Sequence, residues 1–329
     1  MNVKTWGQAL NSMPKLSPSE WQQLDIVSRW LIAIRASVLF MTFMSAALGG
    51  LLAARDAGFS WAPWLVCTIG LIFAHATNNL LNDYTDSKRG IDKNNYYRNQ
   101  YGVHVLEDGL LNQGQFWVYV AATGGIALLL GAWLVWDRSG LTLNLMLAGA
   151  FFVLFYTWPL KYYGLGEPAV LLVWGPLMVG GTYYVVTGTW TWEVIWLSLL
   201  YACGPTSVLF GKHIDKLEQD EAKQVRTLPV LLGESRARRW VQVMVCLQYL
   251  GCIALVVSGQ EHWSLLIVLF NLPALWRLLQ SYQQAKPDQP PSAYPDNIWP
   301  LWFSAFSFDH TRRFTSLFIA ALLIAQILG

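Results

Sequence analysis

Nine apolar stretches, each long enough to cross a bilayer, constrain this chain more than any other feature. They fall at about residues 30–53, 61–83, 115–136, 141–158, 168–187, 192–212, 239–258, 262–280 and 312–328. A helix needs about 20 such residues to span the hydrocarbon core. No stretch alternates with the period of a strand, and lipid tolerates only helices or closed barrels. The expected fold is therefore all-α: a polytopic membrane protein, a bundle of nine transmembrane helices. Residues 1–29 form a polar, interfacial N-terminal segment, and 30–329 form the helical domain. Composition agrees: 54% of residues are hydrophobic and 13% charged, against about 25% charged in soluble domains. The 18 Trp and 14 Tyr suit membrane interfaces. A net charge of +2 gives no basic field for nucleic acid, so no nucleic-acid partner is expected.

Charge placement tests the count. With the N-terminus cytoplasmic, all of the 22 Lys and Arg fall on or beside cytoplasmic segments except Arg35, Arg55 and Arg138. Arg35 lies inside the first stretch, and Arg55 and Arg138 flank external turns. This is the positive-inside pattern, and it suits a multi-pass protein of a bacterial inner membrane. The two polar loops at 84–114 and 213–238 then both face the cytoplasm. A cysteine placed at Lys223 should accordingly resist a membrane-impermeant thiol reagent applied to intact cells; rapid labelling would reverse the topology. Residues Ser17–Trp30 read as one amphipathic surface helix, with Trp21, Leu24, Ile26 and Val27 on its apolar side. Cys67, Cys203, Cys246 and Cys252 all lie in apolar runs with no metal-ligand spacing and read as small buried side chains. Pro287–Pro295 reads as a spacer.

The second stretch ends in an unusual run of amides and acids. His75, Asn79, Asn82 and Asp86 recur at helical spacing and share one face, with Asp83 at its border. Polar groups inside a span are costly and normally face a cavity or a partner. Hard oxygen ligands on one stripe suit Mg²⁺, which takes one or two carboxylates together with substrate phosphates. The sixth stretch ends in a second polar cluster, Lys212-His213-Ile-Asp215-Lys216-Leu-Glu218-Gln-Asp220. Both clusters emerge on one side. Carboxylates flanking a basic loop make a place for a Mg²⁺-diphosphate.

The spacing within the second cluster has a geometric consequence. Residues four apart on a helix are separated by about 40°, and residues five apart by about 140°. Asp215 and Asp220 cannot share a ligand on an unbroken helix. Either the helix ends between them or only one binds metal; the expectation is that it ends around Lys216–Gln219 and turns Asp220 back over the cavity, so that both acids serve.

These motifs resemble those of the UbiA-type intramembrane prenyltransferase superfamily. Asn82-Asp83-Tyr84-Thr85-Asp86, followed by Gly90-Ile91-Asp92, is similar to the first Asp-rich motif of 1,4-dihydroxy-2-naphthoate polyprenyltransferases of menaquinone biosynthesis. The segment Tyr156–Glu167 resembles that branch's connection between its fourth and fifth helices. Arg226-Thr227-Leu228-Pro229 resembles the segment after the second motif. There are departures. The second motif is usually DxxxD preceded by paired Asn. Here Lys216 stands where the first Asp is expected, counting back from Thr227, and Lys212-His213 replace the amides.

The resemblance implies a Mg²⁺-dependent transferase. It would move an isoprenoid chain from a prenyl diphosphate to a small aromatic acceptor within the bilayer. Asp83, Asp86, Asp215 and Asp220 would be the catalytic and metal-binding residues. Arg35, Lys88, Arg89, Lys93, Lys161, Lys212 and Arg226 would stabilise charge on the departing diphosphate. Asn79, Asn82 and Asp92 complete the acid-rich wall. Tyr156, with Tyr84 and Tyr162, would shield the allylic cation. Two other outcomes compete: cyclisation, or transfer to a non-aromatic acceptor, in the same fold, and an ion-coupled transporter. The acids cluster at helix ends on one face rather than at the midplane, which favours the enzyme.

Overall fold

A computed structural model describes residues 3–12, 14–56, 59–91, 93, 102–292, 294 and 298–328. Among these residues, all regular secondary structure is helical. Nine helices among the described residues are long and apolar enough to cross a membrane. They are α1 (Ala36–Arg55), α2 (Trp61–Lys88), α3 (Gln113–Arg138), α4 (Leu141–Tyr163), α5 (Gly166–Thr187), α6 (Trp192–Asp215), α7 (Glu234–Val257), α8 (Trp263–Gln283) and α9 (Phe303–Leu328). Large apolar side chains stand open on the outside, with Leu129 at 73% and Phe270 at 79% exposure. Only a lipid surround makes such a surface stable. The chain is a multi-pass integral membrane protein.

The most extensive core lies where α1, α5 and α6 meet α7, α8 and α9, with Leu197, Tyr201, Phe314 and Phe318 fully enclosed. Helix α6 is the central member and packs on α5, α7 and α9. Its glycines permit the close approach. A Cβ on Gly211 would fall 2.7 Å from Ser304 N and 2.8 Å from the Phe303 carbonyl carbon. Small residues serve this purpose in lipid, where apolar burial alone does not join helices. Gly211→Ala is expected to cost about 1–3 kcal/mol, seen as a lowered midpoint of thermal unfolding in detergent. An unchanged midpoint would contradict this seating of α9.

Several edges differ from the sequence reading. The segment before α1 is not one amphipathic helix. It is divided into Pro18–Gln23, capped by Ser17 and Glu20, and Ile26–Ala33, capped by Asp25. Trp21 is buried while Ile26 is 74% exposed, so the expected apolar side does not form. The first crossing begins at Ala36 rather than near 30, because Arg35 takes a left-handed backbone (φ 55°) between the two helices. Helix α2 continues through the acid motif to Lys88. Helix α9 starts at Phe303 rather than near 312, since Ser304, Ser307, His310 and Thr311 are buried against neighbours rather than in a loop.

Two of the three basic residues outside the main groups lie at the end of the bundle away from the acids. Arg55 binds Glu261 at 2.8 Å. Arg138 donates to the carbonyls of Val185 at 2.9 Å and Val186 at 3.0 Å, near the end of α5.

Candidate active site

The polar stripe of α2 forms one wall of a cavity of about 630 Å³. His75, Asn78, Asn79, Asn82, Asp83 and Asp86 all line it, so the face read from their spacing is the face that looks inward. The remaining walls come from α1, α3, α4, α5, α6 and α9 and are mostly apolar; Leu128, Met146, Val153, Val173 and Leu177 are among them. The charged residues gather at one end.

The cations that meet the α2 acids are placed by breaks in neighbouring helices. Arg35, held in its left-handed conformation at a cost of about 1 kcal/mol or more, directs its guanidinium to α2. It forms an ion pair with Asp83 and donates from Nη2 to Asn82 Oδ1 at 3.2 Å. Asn79 Nδ2 donates to the carbonyl of Ile34, 2.9 Å away, at the end of the preceding short helix. Asn78 donates to the Val153 carbonyl at 3.1 Å, and Asn82 to Thr157 Oγ1 at 3.1 Å. The intramembrane amides thus join α2 to backbone and side-chain groups close to the ends of other helices.

Helix α4 is interrupted at Trp158, whose backbone is extended (φ −137°, ψ 129°). That conformation is preferred before a proline, here Pro159. The turn after it brings Lys161 and Tyr162 onto α2. Lys161 Nζ lies 2.6 Å from Asp86 Oδ2 and 2.9 Å from Oδ1, and Tyr162 donates its hydroxyl to Oδ1 at 3.2 Å. Asp86 and Lys161 are both buried. Arg89 rests over the rings of Trp158 at 4.8 Å and Tyr162 at 5.0 Å, a cation–π arrangement.

The second cluster departs from expectation. The helix does break at Lys216 (φ −119°, ψ 25°), and the short helix Leu217–Ala222 succeeds it. Asp215, however, points to α9. Its Oδ1 accepts from Phe303 N and its Oδ2 from Ser304 N, both at 3.0 Å, and Lys286 Nζ approaches Oδ1 at 3.5 Å. A carboxylate here caps the positive end of α9. Burial draws the Lys286 ammonium below the ordinary lysine value, and the Asp215 charge opposes the shift. Asp220 binds Lys216 at 2.7 Å through Oδ1, and its Oδ2 is buried with no hydrogen-bond partner among the described residues. Neither acid is on the cavity wall. From this cluster the wall receives Lys212, His213 and Lys216. The structure therefore does not bring Asp215 and Asp220 together over the cavity, and Asp215 is engaged as a cap.

The other expected site residues divide in two. Tyr156 is on the wall, as are Arg35, Lys161 and Lys212. Lys88, Arg89, Lys93 and Arg226 are exposed and off the wall. Tyr84 packs on Phe116 and Trp117. Asp92 lies outside the described residues. Lys223, absent from the residues expected in the site, donates to the backbone carbonyls of Ile91 and Lys93, the latter at 2.9 Å, and ties the two polar loops together.

A further pair escapes sequence reasoning. His213 Nδ1 lies 2.6 Å from Glu167 Oε1, with both residues buried. Their signals are a Glu in the first turn of an apolar span and a His in place of an amide. Nothing in the spacing joins positions so distant in sequence.

An acid-and-base end thus opens into an apolar chamber among membrane helices. Residues 43–325 match the model of the UbiA prenyltransferase family. The chain belongs to that family and is a prenyltransferase. It is 26% identical over 272 residues to 2-carboxy-1,4-naphthoquinone phytyltransferase of Synechocystis, covering 79% of this chain and 84% of the relative. It is 28% identical over 269 residues to 1,4-dihydroxy-2-naphthoate octaprenyltransferase of Escherichia coli, covering 78% and 81%. The fold is similar to that of a UbiA homolog from Archaeoglobus fulgidus bound to DMAPP and Mg²⁺. That likeness has a TM-score of 0.62 at 12% identity, over 90% of this chain and 99% of that one.

Proposed function

We propose that this enzyme transfers an isoprenoid chain from a prenyl diphosphate to an aromatic acceptor of the quinone-precursor type, releasing diphosphate in a Mg²⁺-dependent reaction on the cytoplasmic side of the membrane. One observation carries the reading: Asp83, Asp86, Arg35, Lys161 and Lys212 share one end of a cavity whose remaining walls are mostly apolar. A diphosphate head and a hydrocarbon tail match those two environments. The naphthoquinone-type acceptors in the names of the relatives support the aromatic assignment.

The donor set fits the metal. Among the described residues, no three His, Cys, Asp or Glu side chains are grouped closely enough to hold an ion unaided. Mg²⁺ does not require that, because one or two carboxylates and substrate phosphates suffice. Asp83 and Asp86, buried on adjacent turns of α2, fit this pattern. Bound there, the ion would neutralise charge on the departing diphosphate. Arg35 and Lys161 hold the two carboxylates at the wall and add positive charge beside them. The apolar walls enclose the tail and exclude water, so that the allylic cation meets the acceptor rather than solvent. Tyr156 and Trp174, both on the wall, are among the aromatic groups available to that cation.

Purified protein given geranylgeranyl diphosphate and a panel of aromatic acceptors, including 1,4-dihydroxy-2-naphthoate, should form a prenylated acceptor detectable by mass spectrometry. EDTA should abolish it. A cyclised hydrocarbon or alcohol as the sole product would replace the transferase reading, and undiminished turnover in EDTA would remove the metal.

A further inference from the structure

The two polar clusters of the site carry opposite charge into the cavity. Cluster one, on α2, contributes the carboxylates of Asp83 and Asp86. Cluster two, at the end of α6, contributes Lys212 and Lys216, with His213 between them. Lys212 lies in the last turn of α6 and Lys216 at its break, and both line the cavity. Asp215, the last residue of α6, is turned to the first backbone N–H groups of α9. Asp220 is engaged by Lys216 at 2.7 Å. Basic residues at a helix C-terminus also complement its dipole, but that function does not require them to face a cavity. These two do, in the cavity that Asp83 and Asp86 also line.

We infer that the second cluster grips the diphosphate directly through the Lys212 and Lys216 ammonium groups, and that the site takes a single divalent cation, at Asp83 and Asp86, rather than one at each cluster. The inference rests on the prenyl-diphosphate reading above. Lys216 occupies the position where an acid is expected in the second motif, so an ammonium replaces a carboxylate and its metal. Asp220 is then a positioning residue: its carboxylate holds the Lys216 side chain across the helix break. Charge balance is preserved, because an ammonium contacting phosphate oxygens supplies positive charge that a carboxylate can supply only by recruiting a cation.

The test is a count of bound Mn²⁺ by electron paramagnetic resonance, on full-length protein in detergent with the unreactive analogue geranyl S-thiolodiphosphate. One Mn²⁺ per wild-type chain is expected, and Lys216→Asp should take up a second. Asp220→Asn should retain the single ion. Lys212→Ala and Lys216→Ala should each weaken analogue binding about tenfold or more, the loss of one charge-assisted contact, while still binding one Mn²⁺. Two ions on the wild-type chain, with one lost in Asp220→Asn, would overturn the inference and leave the prenyl-diphosphate reading intact. Wild-type affinity in both lysine variants would also overturn it. Failure of the wild-type chain to bind the analogue at all would overturn both.

Discussion

Asp83→Asn and Asp86→Asn should each lower prenyl transfer about a thousandfold, the scale expected when a group that stabilises developing charge is removed from a water-excluded site. The substitution keeps the size of the side chain and a hydrogen-bonding oxygen. An amide oxygen at position 83 can still accept from Arg35, and one at position 86 from Lys161 and Tyr162. Folded protein should be recovered in normal yield. Initial rates with geranylgeranyl diphosphate, together with size-exclusion profiles in detergent, check both halves. An Asp83→Asn enzyme within about tenfold of the wild-type rate would show that the α2 stripe is not the diphosphate end of the cavity. The two variants should also lose Mn²⁺ in the presence of the unreactive analogue, which separates a metal-site effect from loss of the Arg35 or Lys161 pairing.

Asp215→Ala should fail in a different way. Its carboxylate receives two backbone N–H groups of α9 at 3.0 Å and faces Lys286. Truncation leaves two buried backbone donors without their acceptor and removes the carboxylate that faces Lys286, at a cost of about 3–5 kcal/mol. The expected result is a large fall in the thermal midpoint in detergent. The fraction that remains folded should retain its single Mn²⁺. Asp215→Asn, which keeps one acceptor oxygen, should fall between the two. A variant as stable as wild type that has lost metal would return Asp215 to the ligand set.

The contrast between these acids shows what can be read from the chain. The α2 stripe is legible because a helix of fixed period turns spacing into direction: His75, Asn79, Asn82 and Asp86 have to share a face, and they line one cavity wall. The nine crossings are legible because hydropathy over about 20 residues is a local quantity. What escapes depends on partners distant in sequence. Asp215 and Asp220 are both acids near a helix end, and nothing local distinguishes a cap for α9 from a metal ligand. Phe303–Thr311 reads as too polar to belong to a crossing until Asn271, Tyr249 and Tyr282 supply partners for His310 and Ser307. The break at Lys216 falls within the stretch where the five-residue spacing suggests one. The destination of each side chain after the break does not follow from that spacing. Arg35 is visible as a charge inside an apolar run, but its left-handed backbone and its ion pair with Asp83 belong to the packing of α1 on α2. Glu167 and His213 are each visible, and their pairing across α5 and α6 is not.

The central claim is that the chamber couples loss of diphosphate to capture of the prenyl cation by an aromatic acceptor. Simultaneous measurement of released diphosphate and of prenylated acceptor, with geranylgeranyl diphosphate and 1,4-dihydroxy-2-naphthoate, tests it most directly. The two should appear in a one-to-one ratio, and diphosphate release should fall to a small fraction when the acceptor is omitted. Equal release of diphosphate with and without acceptor, accompanied by a prenyl alcohol or a cyclic hydrocarbon, would contradict the claim.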